Sequence, residues 1–398
     1  MRIAVDATTI CDPLGGEGAG IEHYTRAILA YLICAYPEVT FVLAVPNVFN
    51  SEAEKRFVPG AKNVRYLRPL FPKVSFFSRH IFLPTILRLF SPVLFCPSGQ
   101  VPFGWWGKSV ITIHDLTILE HPEWFADLGL QDFSTQVIVP RSIKKTDAIL
   151  TVSEATQSQV ERLFPQSAGK TRVIYEGVKK MSQTVEQTKM FPYDREYVLY
   201  LGTLEPRKNL VTAIEAFDLF LTNHPEQANQ IRFILAGRFG WETAPIEEAA
   251  NRVNAKWQSM EPQGVVQAVG PVSEEEKWNL LSHASVFFFP SFYEGFGLPI
   301  LEAMSAGAPV ITTAQGALAE IGGDAVLSVD PLDREQMSFA IAQCLFVPEG
   351  AEALRKAGRE QARKFSWDQA AKETMEAIQQ VAAKKKTKKK GIKPLLSG

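Results

Sequence analysis

Cysteine is scarce: Cys11, Cys34, Cys96 and Cys344 are the only four in 398 residues, and they are scattered. Such spacing offers neither a disulfide framework nor a zinc cluster, so a reducing compartment is expected. No apolar run approaches the roughly 18 residues that would span a bilayer. The opening MRIAVDATTI has no signal-peptide pattern. The sequence therefore reads as cytoplasmic, with any membrane contact peripheral and on the inner face. A basic body is also missing. Seven of the 42 basic residues are lysines in the last 18 positions, which leaves 35 against 43 acidic residues elsewhere, near −8. A generic basic nucleic-acid-binding body is therefore not expected.

What the chain does have is alternation. At 398 residues it exceeds one typical domain. Short β-branched or aromatic runs alternate with helix-like stretches in both halves, which predicts two Rossmann-like domains facing a cleft. The expected boundaries are 1–178 for the first domain, 179–194 for a polar linker and 195–364 for the second. A final helix follows over 365–383, and a basic tail over 384–398.

The most informative stretch is SFYEGFGLPILEAMSAGAPVITT, Ser291 to Thr313, directly after the strand-like run Ser285 to Phe289. Gly295 and Gly297 suit a tight turn close to a ligand, Pro299 suits a first helical turn, and Leu298, Ile300, Leu301 and Met304 supply a buried side. Gly307 ends the helix. Glu294 then lies in the loop and Glu302 about one turn into the helix, so both carboxylates are expected around its amino terminus. That terminus carries unpaired N–H groups and partial positive charge, which suit a diphosphate. A solvated pair of glutamates is the plain alternative, because 21% of the chain is charged.

Set in this context, Glu294 and Glu302 resemble the E-x7-E signature of retaining, nucleotide-sugar-dependent glycosyltransferases of the GT-B fold, family 4. The resemblance implies an α/β GT-B architecture whose C-terminal helix, opened by Phe365-Ser366-Trp367, crosses back to the first domain. It implies that Glu294 contacts the transferred sugar and Glu302 the nucleotide ribose, with Gly297 and Leu298 at the helix start also on the donor. Gly202-Thr203-Leu204-Glu205-Pro206-Arg207-Lys208-Asn209 resembles the loop in which an Arg and a Lys grip the diphosphate. VITIHDLTILEHPEWF resembles a segment of bacterial mannosyltransferases whose histidine, here His114, reaches the donor sugar, while Asp115 braces the loop. GAGIEHYTR resembles the family's glycine loop and helix, and places Gly20 toward the diphosphate and the acceptor. Its G-G-E-G-A-G spacing does not match the dinucleotide fingerprint G-x-G-x-x-G, so NAD is not expected.

The function implied is transfer of a hexose from a nucleotide diphosphate sugar to a hydroxyl of a glycan or lipid-linked acceptor, with GDP-mannose the favoured donor. No carboxylate cluster of a metal site is apparent, so no metal and no cofactor are expected, and Arg207 and Lys208 supply the positive charge. Within the same fold, transfer from a UDP- or ADP-sugar is an alternative; from other classes, a nucleotide-sugar epimerase and a non-catalytic nucleotide-sugar-binding protein are the alternatives. The epimerase needs acid–base residues that the sequence does not display, and the binding protein tends to lose charges that are kept here. Phe76 to Phe90, aromatic and basic and interrupted by Pro84, is expected to be a helix. Phe76, Phe77, Phe82 and Phe90 with Arg79 and Arg88 suggest a membrane-facing surface, with core packing the alternative. The lysine tail suggests a second contact with anionic lipid.

Overall fold

The computed structural model describes residues 1–10, 20–68, 77–125, 133–179 and 195–384. Cys11, residues 15–19 of the glycine loop, Phe76, nearly all of the linker and the tail beyond Lys384 lie outside the described residues. Two parallel sheets organise the chain. The first contains β1 (Arg2–Asp6), β2 (Thr40–Ala44), β3 (Val64–Leu67), β4 (Val93–Cys96), β5 (Lys108–Ile113), β6 (Ala148–Thr151) and β7 (Thr171–Val173), in the order β3-β2-β1-β4-β5-β6-β7. The second contains β8 (Glu196–Leu201), β9 (Ile231–Ala236), β10 (Val266–Gly270), β11 (Val286–Phe289), β12 (Val310–Thr313) and β13 (Leu327–Val329), in the order β10-β9-β8-β11-β12-β13.

Every pairing is parallel. Helices cover both faces of such sheets, which is why central strands such as β4 (VLFC) and β11 (VFFF) are buried at every position. In open parallel sheets ligands bind beyond the carboxyl ends where the strand order reverses. Those points are β1/β4 in the first sheet and β8/β11 in the second.

The helix Trp367–Ala383 returns to the first domain, as expected. Trp367 is buried, 5.9 Å from the Tyr24 ring and stacked at 6.4 Å on Tyr31, both on the helix Gly20–Ala35. Ile378 and Val381 are buried further along the same helix. Among the described residues, no helix is long and apolar enough to cross a membrane.

The segment before β4 differs from its sequence reading. Ser78–Phe82 forms a π turn that runs into the α-helix Leu83–Phe90, and Pro84 sits in that helix's first turn rather than interrupting it. Proline has no N–H to give to the carbonyl four residues back. His80 O instead accepts a hydrogen bond from Gly104 N at 2.6 Å. Arg79 is not membrane-facing: its guanidinium turns inward to buried Asp6 at 3.2 Å. The extra residue of a π turn rotates the side chains beyond it, so α-helical spacing misplaces this one. Phe82 is exposed and Phe90 only half-buried, so the expected aromatic face is present in part.

Candidate active site

Both loops singled out in the second domain meet at its switch point, β8 leading into residues 202–209 and β11 into residues 290–297. Pro206 opens the short 3-10 turn Pro206–Lys208, and Asn209 ends it at φ 59°, a left-handed conformation that asparagine tolerates. Asn209 Nδ2 donates to Pro290 O at 3.2 Å and Pro331 O at 2.7 Å, while Phe292 N donates to Arg207 O at 3.0 Å. The cationic loop is thereby fixed to the end of β11.

Arg207 reaches Glu294 Oε2 at 3.1 Å, Glu205 Oε1 at 2.9 Å and Tyr293 O at 2.8 Å. Lys208 Nζ reaches Glu294 Oε1 at 2.5 Å. Two cations and two carboxylates form a neutral cluster, the condition under which such charges can be buried together. Burial alone would raise the Glu294 pKa, but Arg207 and Lys208 outweigh it and bring it down to about 2. Burial and its cationic neighbour Arg207 hold Lys208 below the usual lysine value, with Glu294 offsetting part of this.

This depression carries a stability prediction. A free glutamate titrates near 4.3, so Glu294 contributes fully above about that pH, and its contribution is lost as pH falls toward about 2. Glu294→Gln should therefore flatten the loss of melting temperature across that acidic window. At neutral pH the variant removes the one carboxylate shared by both cations, leaving Glu205 and the nearby Asp115 to face them, and should be less stable by roughly 3 kcal/mol. Melting curves with the same slope for both proteins over the acidic window would exclude a buried, ionised Glu294.

Glu302 is also buried but belongs to a separate ion pair. Lys277 Nζ lies 2.6 Å from Glu302 Oε1 and 2.8 Å from Glu274 Oε1, and these carboxylates raise the Lys277 pKa against the lowering effect of burial. The two glutamates of the signature thus answer to different cations. Between them, Gly297 adopts φ 99° as the N-cap of the helix Leu298–Ala306, with Pro299 in its first turn. A left-handed residue at this site needs glycine. Gly20 is the first residue of its helix and is exposed, with open space around it.

His114 follows β5 and comes to the same place from the first domain. Its Nε2–H donates to Pro97 O at 2.9 Å, its Nδ1 lies 3.6 Å from Glu176 Oε1, and its ring meets Tyr24 edge-on at 4.7 Å. Asp115 Oδ1 accepts from Thr117 N at 3.1 Å and braces the turn, as expected. Gly295 joins the two domains. A Cβ on it would lie 2.0 Å from His114 O and 2.9 Å from Asp115 Cβ. Its carbonyl accepts from Ser153 Oγ at 2.6 Å and from Thr156 Oγ1 at 3.1 Å. Nearby, the Glu320 carboxylate of the second domain accepts from Glu154 N at 2.8 Å, and so caps the first-domain helix Glu154–Leu163.

The structure thus gathers His114, Arg207, Lys208 and Glu294 around one interdomain contact, with Gly297 and Leu298 beside it. The sequence reading gave no role to Glu205, Lys277, Glu176 or Glu320. Glu274 and Lys277 are three apart on a helix, a spacing that ordinarily marks a surface pair. The Glu320 contact spans 166 residues and left no local signal.

Two facing parallel sheets, with a cationic loop and a glycine-capped helix at the second switch point, define the two-domain GT-B architecture. Residues 182–361 match the family described as glycosyl transferases group 1. O-antigen chain mannosyltransferase B of Escherichia coli is 32% identical over 279 residues, 68% of this chain and 70% of that protein. The chain belongs to the glycosyl transferases group 1 family. O-antigen chain mannosyltransferase RfbU of Salmonella typhimurium is 24% identical over 84% of this chain and 90% of its own length. Among solved structures, sucrose-phosphate synthase from Thermosynechococcus elongatus shares the fold with a TM-score of 0.71 at 23% identity, covering 96% of this chain and 99% of that one.

Proposed function

We propose that this glycosyltransferase belongs to family 4 and transfers mannose from GDP-mannose, with retention of configuration, to a hydroxyl of a glycan or lipid-linked acceptor. The observation that carries the reading is the shared ion pairing of Glu294 with Arg207 and Lys208. A donor diphosphate competes with Glu294 for both cations. As they turn to phosphate oxygens, the Glu294 carboxylate is released to hexose hydroxyls, while Glu302, held by Lys277, takes the ribose. In the transfer step the bond from the anomeric carbon to the diphosphate oxygen breaks. The acceptor oxygen bonds on the same face, and its proton passes to the departing diphosphate. Arg207 and Lys208 stabilise the charge that grows there, and His114 lines the sugar side.

Mannose is favoured because the segment around His114 resembles mannosyltransferases and because the two bacterial relatives carry that name. A thermal-shift panel of GDP-, UDP- and ADP-sugars tests the donor. GDP-mannose at 100 times its dissociation constant should stabilise the protein by about 2.7 kcal/mol. A larger shift with a UDP- or ADP-sugar rejects the assignment of the base.

A further inference from the structure

We infer that the chain pairs with a second copy of itself through the outer side of the helix Arg334–Phe346, in a two-fold antiparallel contact centred on Phe339. A helix that covers a sheet ordinarily has one apolar side, turned inward, and this one has two. Met337, Ala340, Ile341 and Cys344 are buried on the inner side. On the opposite side Phe339 is 64% exposed and Phe346 44%, with Leu332 just before the helix at 76% and Val347 just after it at 46%. Single exposed apolar residues are ordinary, but a row of them marks an interaction surface.

The spacing of the row identifies its occupant. Leu332, Phe339 and Phe346 are seven residues apart. Seven residues make two helical turns less about 20°, so Phe339 and Phe346 share one side of the helix, and Leu332 extends the row past its first turn. Phe339 is the midpoint. Reversing the helix about it brings Leu332 onto Phe346 and Phe339 onto itself, which is the self-correspondence that an isologous two-fold contact requires. Charge agrees with this register. The residues one turn to either side of Phe339 on this face are Glu335, Gln336, Ala342 and Gln343. In the antiparallel pair Glu335 stands opposite Gln343 and Gln336 opposite Ala342, so the carboxylate never meets its own copy. Arg334 is turned to Glu215 of its own chain at 3.1 Å. An anionic lipid surface fits this side less well, because Glu335 is the charge it presents.

The face begins one residue from the support of the candidate site. Pro331 O accepts from Asn209 Nδ2 at 2.7 Å, and Asn209 ends the cationic loop. Contact through Leu332 therefore sets the second copy beside the anchor of Arg207 and Lys208. One helix face covers less than the roughly 800 Å² that each partner of a standard interface buries, so the dimer is reversible and its dissociation constant falls in the micromolar range.

Sedimentation velocity of the full chain from about 1 to about 200 µM should show monomer passing into dimer. Phe339→Ser removes the central contact from both copies at once and should weaken pairing by roughly a hundredfold, with melting temperature and turnover at high dilution unchanged. Oxidation tests the register. Packed helices hold their axes about 8–10 Å apart, which brings the two copies of a residue on the two-fold axis within disulfide reach. Phe339→Cys should therefore link to its own copy under mild oxidation, with the parent as the control for Cys11 and Cys34. Gln343→Cys alone should not, because the register sets that position about 12 Å from its copy along the helix, but mixed with Glu335→Cys it should. A monomer at every concentration overturns the inference. So does pairing indifferent to Phe339→Ser, or linkage through Gln343→Cys as ready as through Phe339→Cys. Monomeric protein whose binding to vesicles of phosphatidylcholine and phosphatidylglycerol is lost in Phe339→Ser assigns the face to lipid and overturns it as well.

Discussion

Gly295→Ala is expected to lower turnover by roughly a hundredfold or more while both domains remain folded. The added Cβ would lie 2.0 Å from the His114 carbonyl oxygen, a contact between two main chains that no side-chain rotation relieves. The loop after β11 must therefore retreat from the first domain by on the order of 1 Å, a displacement large enough to cost about two powers of ten when reacting groups must align. Arg207, Lys208 and Glu294 all lie in the second domain and move with the loop or beside it. Binding of a nucleoside diphosphate should survive, whereas alignment with His114 should not. The expected pattern is a collapse of kcat with little change in diphosphate affinity. A variant with parental kcat would show that this interdomain contact is not the reactive arrangement.

Lys208→Ala should reduce turnover by one to several powers of ten, in line with the loss of a preorganised charge at other sites. A helix terminus contributes only about half an elementary charge, well short of what a departing diphosphate requires. Arg207 and Lys208 stand where the rest can be supplied, and Glu294 already holds them in position through contacts of 3.1 and 2.5 Å. Chelation of divalent ions should accordingly leave transfer largely intact. If EDTA abolishes the reaction and magnesium or manganese restores it, the scheme in which side chains alone neutralise the diphosphate fails. Arg207→Ala checks the same point independently, because Arg207 and Lys208 approach opposite oxygens of one carboxylate and their losses should not simply add.

The strands and the loops at their ends were legible because their signals are local. A short β-branched run such as Ile231–Ala236 has to be buried on both faces, and the glycine–proline pair at 297 and 299 allows little but a helix start. The capping box of Ser273 and Glu276, which opens the helix Glu274–His283, rests on an equally local three-residue spacing. The helices Leu210–Asn223 and Ala244–Trp257 were not picked out. In the first, Leu210, Ala213, Ile214, Ala216, Phe217, Phe220 and Leu221 are all buried, a face so wide that the 3.6-residue period is blurred. The partners of the signature glutamates were harder still. Lys277 lies 25 residues before Glu302, and nothing in the spacing separates it from any other surface lysine until the chain passes through β11, which links the two helices, and sets them side by side. Arg79 shows the remaining kind of error, in which one extra residue in a helical turn sends a charge inward instead of outward.

The returning helix Trp367–Ala383 also imposes a schedule on the newborn chain. All seven strands of the first sheet have been made by residue 173, yet the seat formed by Tyr24 and Tyr31 stays uncovered until Trp367 emerges. At typical rates of synthesis that interval lasts on the order of ten to forty seconds, far longer than the folding of most small domains. During it the ribosome displays a nearly finished domain with an open aromatic seat. Maturation of the first half of the molecule is thus timed by the completion of the second.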